Sequence, residues 1–175
     1  MKMRSFVFDS IDYPKSPPCL PFSKDKKSSF WDQADEIRAI GVALKPEQIA
    51  QAKFWDDNPV VSVHDGHAIH DAKKMTPAGH WMNINRQACE KAKSDILTCS
   101  ESYFYVALGI YEAFIKCFYV KYQTNLIRPE SYINQYMDSK WKPFLQTPNF
   151  PEHTSGHSII SAASATMMTH VFGDN

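Results

Sequence analysis

Lys121 and Arg128 stand seven residues apart in KYQTNLIRP, with Pro129 directly after the arginine. Lysine is a compact point charge and arginine a planar fork of donors, so together they suit a tetrahedral oxyanion such as phosphate. Further on, TPNFPEHTSGH ends in Ser155-Gly156-His157. Prolines break this loop just before a helix-forming run, and a helix N-terminus offers unpaired N–H groups and a partial positive charge to an anion. At that position Gly156 lets a ligand come close to the backbone, and Ser155 adds a hydroxyl or a cap. His157 can exchange a proton with a bound oxyanion near neutral pH. An isolated basic pair is ordinarily a solvated surface feature. Joined in chain order to Ser-Gly-His, this pair reads as part of an anion cradle.

In these residues the chain resembles the superfamily of type 2 phosphatidic acid phosphatases, bacterial class A acid phosphatases and vanadium-dependent haloperoxidases. That family's first motif, Lys, six residues, Arg-Pro, is matched from Lys121 to Pro129. Its second, Pro-Ser-Gly-His, is matched at Ser155, Gly156 and His157, with Thr154 in place of the proline. The lead-in TPNFP resembles the haloperoxidase-like branch, where its phenylalanine lines the halide side of the pocket; here that residue is Phe150. Phe118, one helical turn before Lys121, is placed near the same pocket. FWDDNP and PAGHW are similar to the helical region that precedes the first motif in bacterial members, so the likeness runs from Lys45 to Asn175.

The resemblance implies one of two chemistries. In a phosphatase, Lys121, Arg128 and the N–H groups around Gly156 stabilise charge on phosphorus while His157 protonates the leaving oxygen of a phosphomonoester. In a haloperoxidase the same groups hold vanadate as cofactor, His157 governs protonation of its apical oxygen, and peroxide and halide are the substrates. Both need a third motif, Ser-Arg, five residues, His, which the 175 residues do not contain; His170 does not supply it, because Ala163 and Ser164 stand where Ser and Arg would be. A complementing segment or second chain is therefore expected. The rival reading is a non-catalytic helical domain with partial anion binding. The resemblance also implies an extracytoplasmic protein, although Met1–Lys15 lacks the apolar core of a signal peptide.

Positioning such a cradle requires a scaffold, and the composition allows one. The chain is 43% hydrophobic and 13% aromatic, enough for a single core, and its 19 basic and 19 acidic residues cancel. Zero net charge argues against a nucleic-acid partner and means that an anion site must come from local geometry. The pattern reads as an all-α bundle, of which this chain is part, preceded by a Pro/Lys/Ser-rich arm over residues 1–44. Helices are expected from Pro46, near Trp81, between about Arg86 and Tyr122 with a break capped by Ser94 or Asp95, from Pro129, and from the TSGH segment onward. No alternating strand pattern is read.

YFYVALGIYEAFIKCFYV, residues Tyr103–Val120, is nearly long enough to cross a bilayer, but Glu112 and Lys116 in its middle favour a buried bundle helix over a membrane span. Its aromatics Tyr103, Phe104, Tyr111, Phe114, Phe118 and Tyr119 are read as core. HDGHAIHDAKKMTPAG is expected to be a polar loop; its His64, Asp65, His67, His70 and Asp71 match no firm metal-ligand spacing, and no metal site is assigned. Cys19, Cys89, Cys99 and Cys117 form no C-x-x-C pair; Cys99 and Cys117 lie in an apolar run and read as ordinary buried thiols.

Overall fold

The computed structural model describes residues 4–8, 16–58, 61–65, 68–72 and 75–174. In chain order these form α1 (Ser29–Val42), α2 (Pro46–Phe54), β1 (Val61–Asp65), β2 (Ala68–Ala72), α3 (Pro77–Ala92), α4 (Ile96–Thr124), α5 (Pro129–Tyr136) and α6 (Gly156–Phe172). The architecture is helical, as the pattern predicts, and the helix starts follow local signals. Thr76 caps α3 by accepting from Gly79 N–H at 3.0 Å, and Pro77 takes the first helical position. Asp95, rather than Ser94, caps α4 by accepting from Thr98 N–H at 2.8 Å. The hydrogen bonds from Thr98 hold the Asp95 carboxyl below its ordinary range, with desolvation acting weakly against them.

Two clusters of apolar side chains hold the helices together. In the first, α4, α6 and α3 meet at Val106, Ile110 and Ile160, with Trp81, Met82, Met167 and Met168 packed around them. Each fully buried aliphatic side chain contributes about 1.5–3 kcal/mol there. The α4–α6 approach is close at Gly109, where a Cβ would stand 2.8 Å from Met167 Cγ, so only glycine fits without a shift. Trp81 Nε1–H donates to Ser161 Oγ at 2.9 Å and ties α3 to α6. In the second cluster, α1 and α5 bury Ala34, Tyr132, Ile133 and Trp141 with Phe30 and Trp31 against them.

Three expectations need correction. α1 falls within the stretch read as an arm; Ser28 caps it by accepting from Trp31 N–H at 3.2 Å, and its weak apolar stripe is hidden by neighbouring Lys and Ser. The polar loop read at HDGHAIHDA is an antiparallel hairpin, with Val61 opposite Ala72 and Asp65 opposite Ala68. Alternating Val61 and Val63 before Asp65-Gly66, with Ile69 after it, is a strand and two-residue-turn pattern. Of the residues weighed there as metal ligands, His67 and the side chains of His64, Asp65, His70 and Asp71 lie outside those described.

The third correction concerns α4. It packs on α3 and α6 along one side only, so Tyr103, Phe104, Phe114 and Tyr119 are exposed rather than core. By length and composition alone the helical stretch Ile96–Tyr136, which includes α4, could cross a membrane, and 33% of its most apolar window is buried. Its Glu112 is buried beneath the N-terminal segment, accepting from Ser5 Oγ at 2.6 Å, Phe6 N–H at 2.5 Å and Val7 N–H at 3.2 Å.

Candidate functional site

The last turn of α4, the start of α5 and the loop before α6 converge. Lys121 sits in that last turn with 2% of its surface exposed, and α4 stops at Asn125, a left-handed cap whose N–H donates to the Lys121 carbonyl. The buried ammonium donates to the carbonyls of Pro151 and Glu152, both at 2.9 Å. Thr124 Oγ1 adds a bond to the His153 carbonyl at 3.1 Å, so the end of α4 grips three consecutive loop carbonyls. Burial pulls Lys121 below its ordinary value; Cys117 and Glu152 act against that shift, and the Arg128 charge adds to it.

Arg128 is the residue immediately before α5. Its Nε donates to the Phe150 carbonyl and its Nη1 to Glu152 Oε2, the latter at 2.6 Å. Nη2 is buried and has no partner among the described residues. The Phe150 ring lies between both cations, 5.0 Å from Lys121 Nζ and 4.8 Å from Arg128 Cζ. Phe118 reaches the same ring, with centroids 5.1 Å apart. Lys121, Arg128, Phe150 and Phe118 are thus one cluster.

Ser155, Gly156 and His157 lie at the other end of the same loop. Ser155 caps α6 by accepting from Ser158 N–H at 3.2 Å. A Cβ on Gly156 would meet nothing within 4 Å, so the space beside that backbone is open. The first N–H groups of a helix have no intrahelical acceptor, which leaves those of Gly156 and His157 for other partners. The His157 side chain is 50% exposed, and its Nε2 stands 3.7 Å from Asp57 Oδ2.

Asp57 and His80 belong to this end and were not found from the sequence. Asp57, 5% exposed, receives His80 Nδ1 at 3.1 and 3.2 Å on its two oxygens. Nδ1 must carry the proton there, because a carboxylate only accepts. His80 is held by Trp55 stacked at 4.8 Å and Phe54 edge-on at 5.0 Å. Their segments, FWDDNP and PAGHW, were noticed only as a likeness; no spacing rule joins residues 23 apart. Glu152, the carboxylate on Arg128, was likewise unassigned. Of two further cavities, one of about 470 Å³ runs between α3 and α6 past Trp81 and Phe172, and one of about 300 Å³ lies beside Glu152 and Ser155. Neither is lined by Lys121, Arg128 or His157.

Residues 101–175 match the family model of the VCPO second helical-bundle domain. A crystal structure described as the first bacterial vanadium-dependent iodoperoxidase matches 98% of this chain, with 41% sequence identity and a TM-score of 0.87. The match takes in 41% of that chain, so the present chain spans about two fifths of its length. No curated protein matches. The family model begins inside α4 and takes in both motifs, and the structural match extends over 98% of the chain. The chain belongs to the haloperoxidase-like branch of the phosphatase/haloperoxidase superfamily.

Proposed function

We propose that this chain is the oxyanion-holding portion of a vanadium-dependent haloperoxidase, which oxidises halide with peroxide. The observation that carries the reading is the pair of inward-facing cations around Phe150, with one arginine nitrogen left without a partner, in a chain 41% identical to an iodoperoxidase. The donor set suits vanadate. Arg128 Nη2 is a buried cationic donor lacking an acceptor among the described residues, and the α6 N-terminus adds backbone donors beside open space at Gly156.

In this reading Lys121 and Arg128 supply two fixed positive charges that need no reorganisation, because loop carbonyls and Glu152 already hold both side chains. The oxyanion takes the open Nη2 side and Glu152 keeps Nη1. His157 holds or gives up a proton at Nε2, which faces Asp57 Oδ2 at 3.7 Å. Phe150 and Phe118 form the apolar wall that keeps water from the halide side. Vanadate, when bound, supplies the Lewis-acidic centre at which peroxide is activated.

The test is a vanadate titration of the intact protein, scored by peroxide-dependent iodide oxidation and, in parallel, by phosphomonoester hydrolysis. Iodide oxidation that rises with vanadate supports the proposal. Hydrolysis that vanadate inhibits, without halide oxidation, would replace it with the phosphatase reading.

A further inference from the structure

α3 and α4 form a helical hairpin whose turn is only Lys93, Ser94 and Asp95. Lys93 takes a left-handed φ of 51°, and Ser94 N–H donates to the Cys89 carbonyl at 3.0 Å, which folds the chain sharply back. Cys89 lies three residues before the end of α3, and Cys99 three residues after the start of α4. Positions so placed stand at the same height, about one helical turn from the corner. Cys99 Sγ donates to the Ser94 carbonyl at 3.8 Å, while Ser94 N–H is bonded to the Cys89 carbonyl, so both cysteines are tied to the same corner residue. Both thiols are free; Cys89 is buried and Cys99 partly exposed.

We propose that Cys89 and Cys99 are a peroxide-responsive thiol pair that closes to a disulfide across the α3–α4 corner. Hydrogen peroxide is the oxidant. Cys99 sulfur attacks one peroxide oxygen; the O–O bond breaks, an S–O bond forms, and water leaves behind a sulfenic acid. Cys89 sulfur then attacks Cys99 sulfur; the S–S bond forms, the S–O bond breaks, and the departing hydroxide takes the Cys89 proton as a second water. Two thiols have lost two electrons and two protons, and one peroxide has become two waters.

Burial, and then the adjacent Cys99 thiol, raise Cys89 above its ordinary value, which makes the more exposed Cys99 the first target and Cys89 the resolving partner. Placement of both thiols at one helical corner lets the second step outrun further oxidation of Cys99 to sulfinic or sulfonic acid, the irreversible rungs. A protein that works in peroxide gains a reversible end point at this corner. The inference stands on the corner geometry and does not depend on the halide chemistry proposed above.

The experiment is peroxide treatment of the whole protein, thiol alkylation and peptide mapping without reductant. The expected result is loss of two alkylatable thiols together, a mass lower by about 2 Da, a Cys89–Cys99 cross-linked peptide, and full reversal by dithiothreitol. Cys19 and Cys117 stay alkylatable. In Cys89→Ser, Cys99 is expected to persist as a sulfenic acid trapped by dimedone; in Cys99→Ser, Cys89 is expected to stay reduced. Wild-type Cys99 advancing to sulfonic acid without a cross-link overturns the proposal. So do two thiols that remain alkylatable under peroxide that oxidises a free cysteine peptide.

Discussion

The two ends of the loop from Phe150 to His157 are built on opposite terms. At the Phe150 end, Lys121 is almost fully buried and Arg128 largely so, and their donors grip the carbonyls of Phe150, Pro151 and Glu152. At the His157 end, the imidazole is 50% exposed, and the Asp57 carboxyl stands 3.7 Å away, beyond hydrogen-bond length. The first end organises the loop as well as presenting charge, so stability and anion binding are lost together there. At the second end the chemistry sits on a fold that does not depend on it.

The contrast breaks most visibly at Lys121. Lys121→Met leaves two loop carbonyls without their charged donor, a loss of about 3 kcal/mol that urea denaturation reads as a lower midpoint. A loss under about 1 kcal/mol would remove the ammonium from the loop's support. Arg128→Ala gives up the bonds to Phe150 and Glu152 but already leaves one nitrogen unpaired, so about 2 kcal/mol is expected by the same measurement. Asp57→Ala strands His80 Nδ1 in its aromatic pocket and costs about 1.5 kcal/mol. His157→Ala changes stability by no more than about 0.5 kcal/mol while abolishing turnover of the intact protein. Thermal melts and steady-state rates on the same sample check that separation, and a large loss of stability would merge the two ends.

Alkaline pH sharpens the same contrast by a smaller amount. Lys121 lies below its ordinary value of 10.5 in the folded chain, so between that lowered value and 10.5 the unfolded chain binds the extra proton. Stability from this group therefore rises with pH through that window and levels off above 10.5. Denaturation midpoints at about pH 8 and about pH 10 should show the rise in the wild type and its absence in Lys121→Met. Equal pH responses in both proteins would show that the shift is not felt by the fold.

Much of the site was legible because its signals are local. Pro129 starts α5 and Ser155 caps α6, each announced within a few residues, and the two motifs therefore fell on the right helix ends. Phe150 was placed at the pocket only through the resemblance of its TPNFP lead-in, and the packing of Lys121 and Arg128 on its ring is visible in the structure alone. Asp57 and His80 were not anticipated, since their bond joins the loop after α2 to the first turn of α3, and nothing in either segment marks the other. The exposed face of α4 shows a related limit: composition tells that a helix is apolar all round, and only tertiary packing tells which side its neighbours cover. The hairpin was missed because only β1 alternates, at Val61 and Val63, and two apolar positions are a weak signal beside a cluster of His and Asp.

The central claim is that Arg128 serves the oxyanion as well as the loop. Equilibrium vanadate binding by the intact protein, wild type against Arg128→Ala, with both confirmed folded by circular dichroism, tests it most directly. The account predicts binding at least about tenfold weaker in the variant, equivalent to about 1.4 kcal/mol. Equal affinity in the two proteins would contradict it and leave Arg128 as a clamp on the Phe150 loop alone.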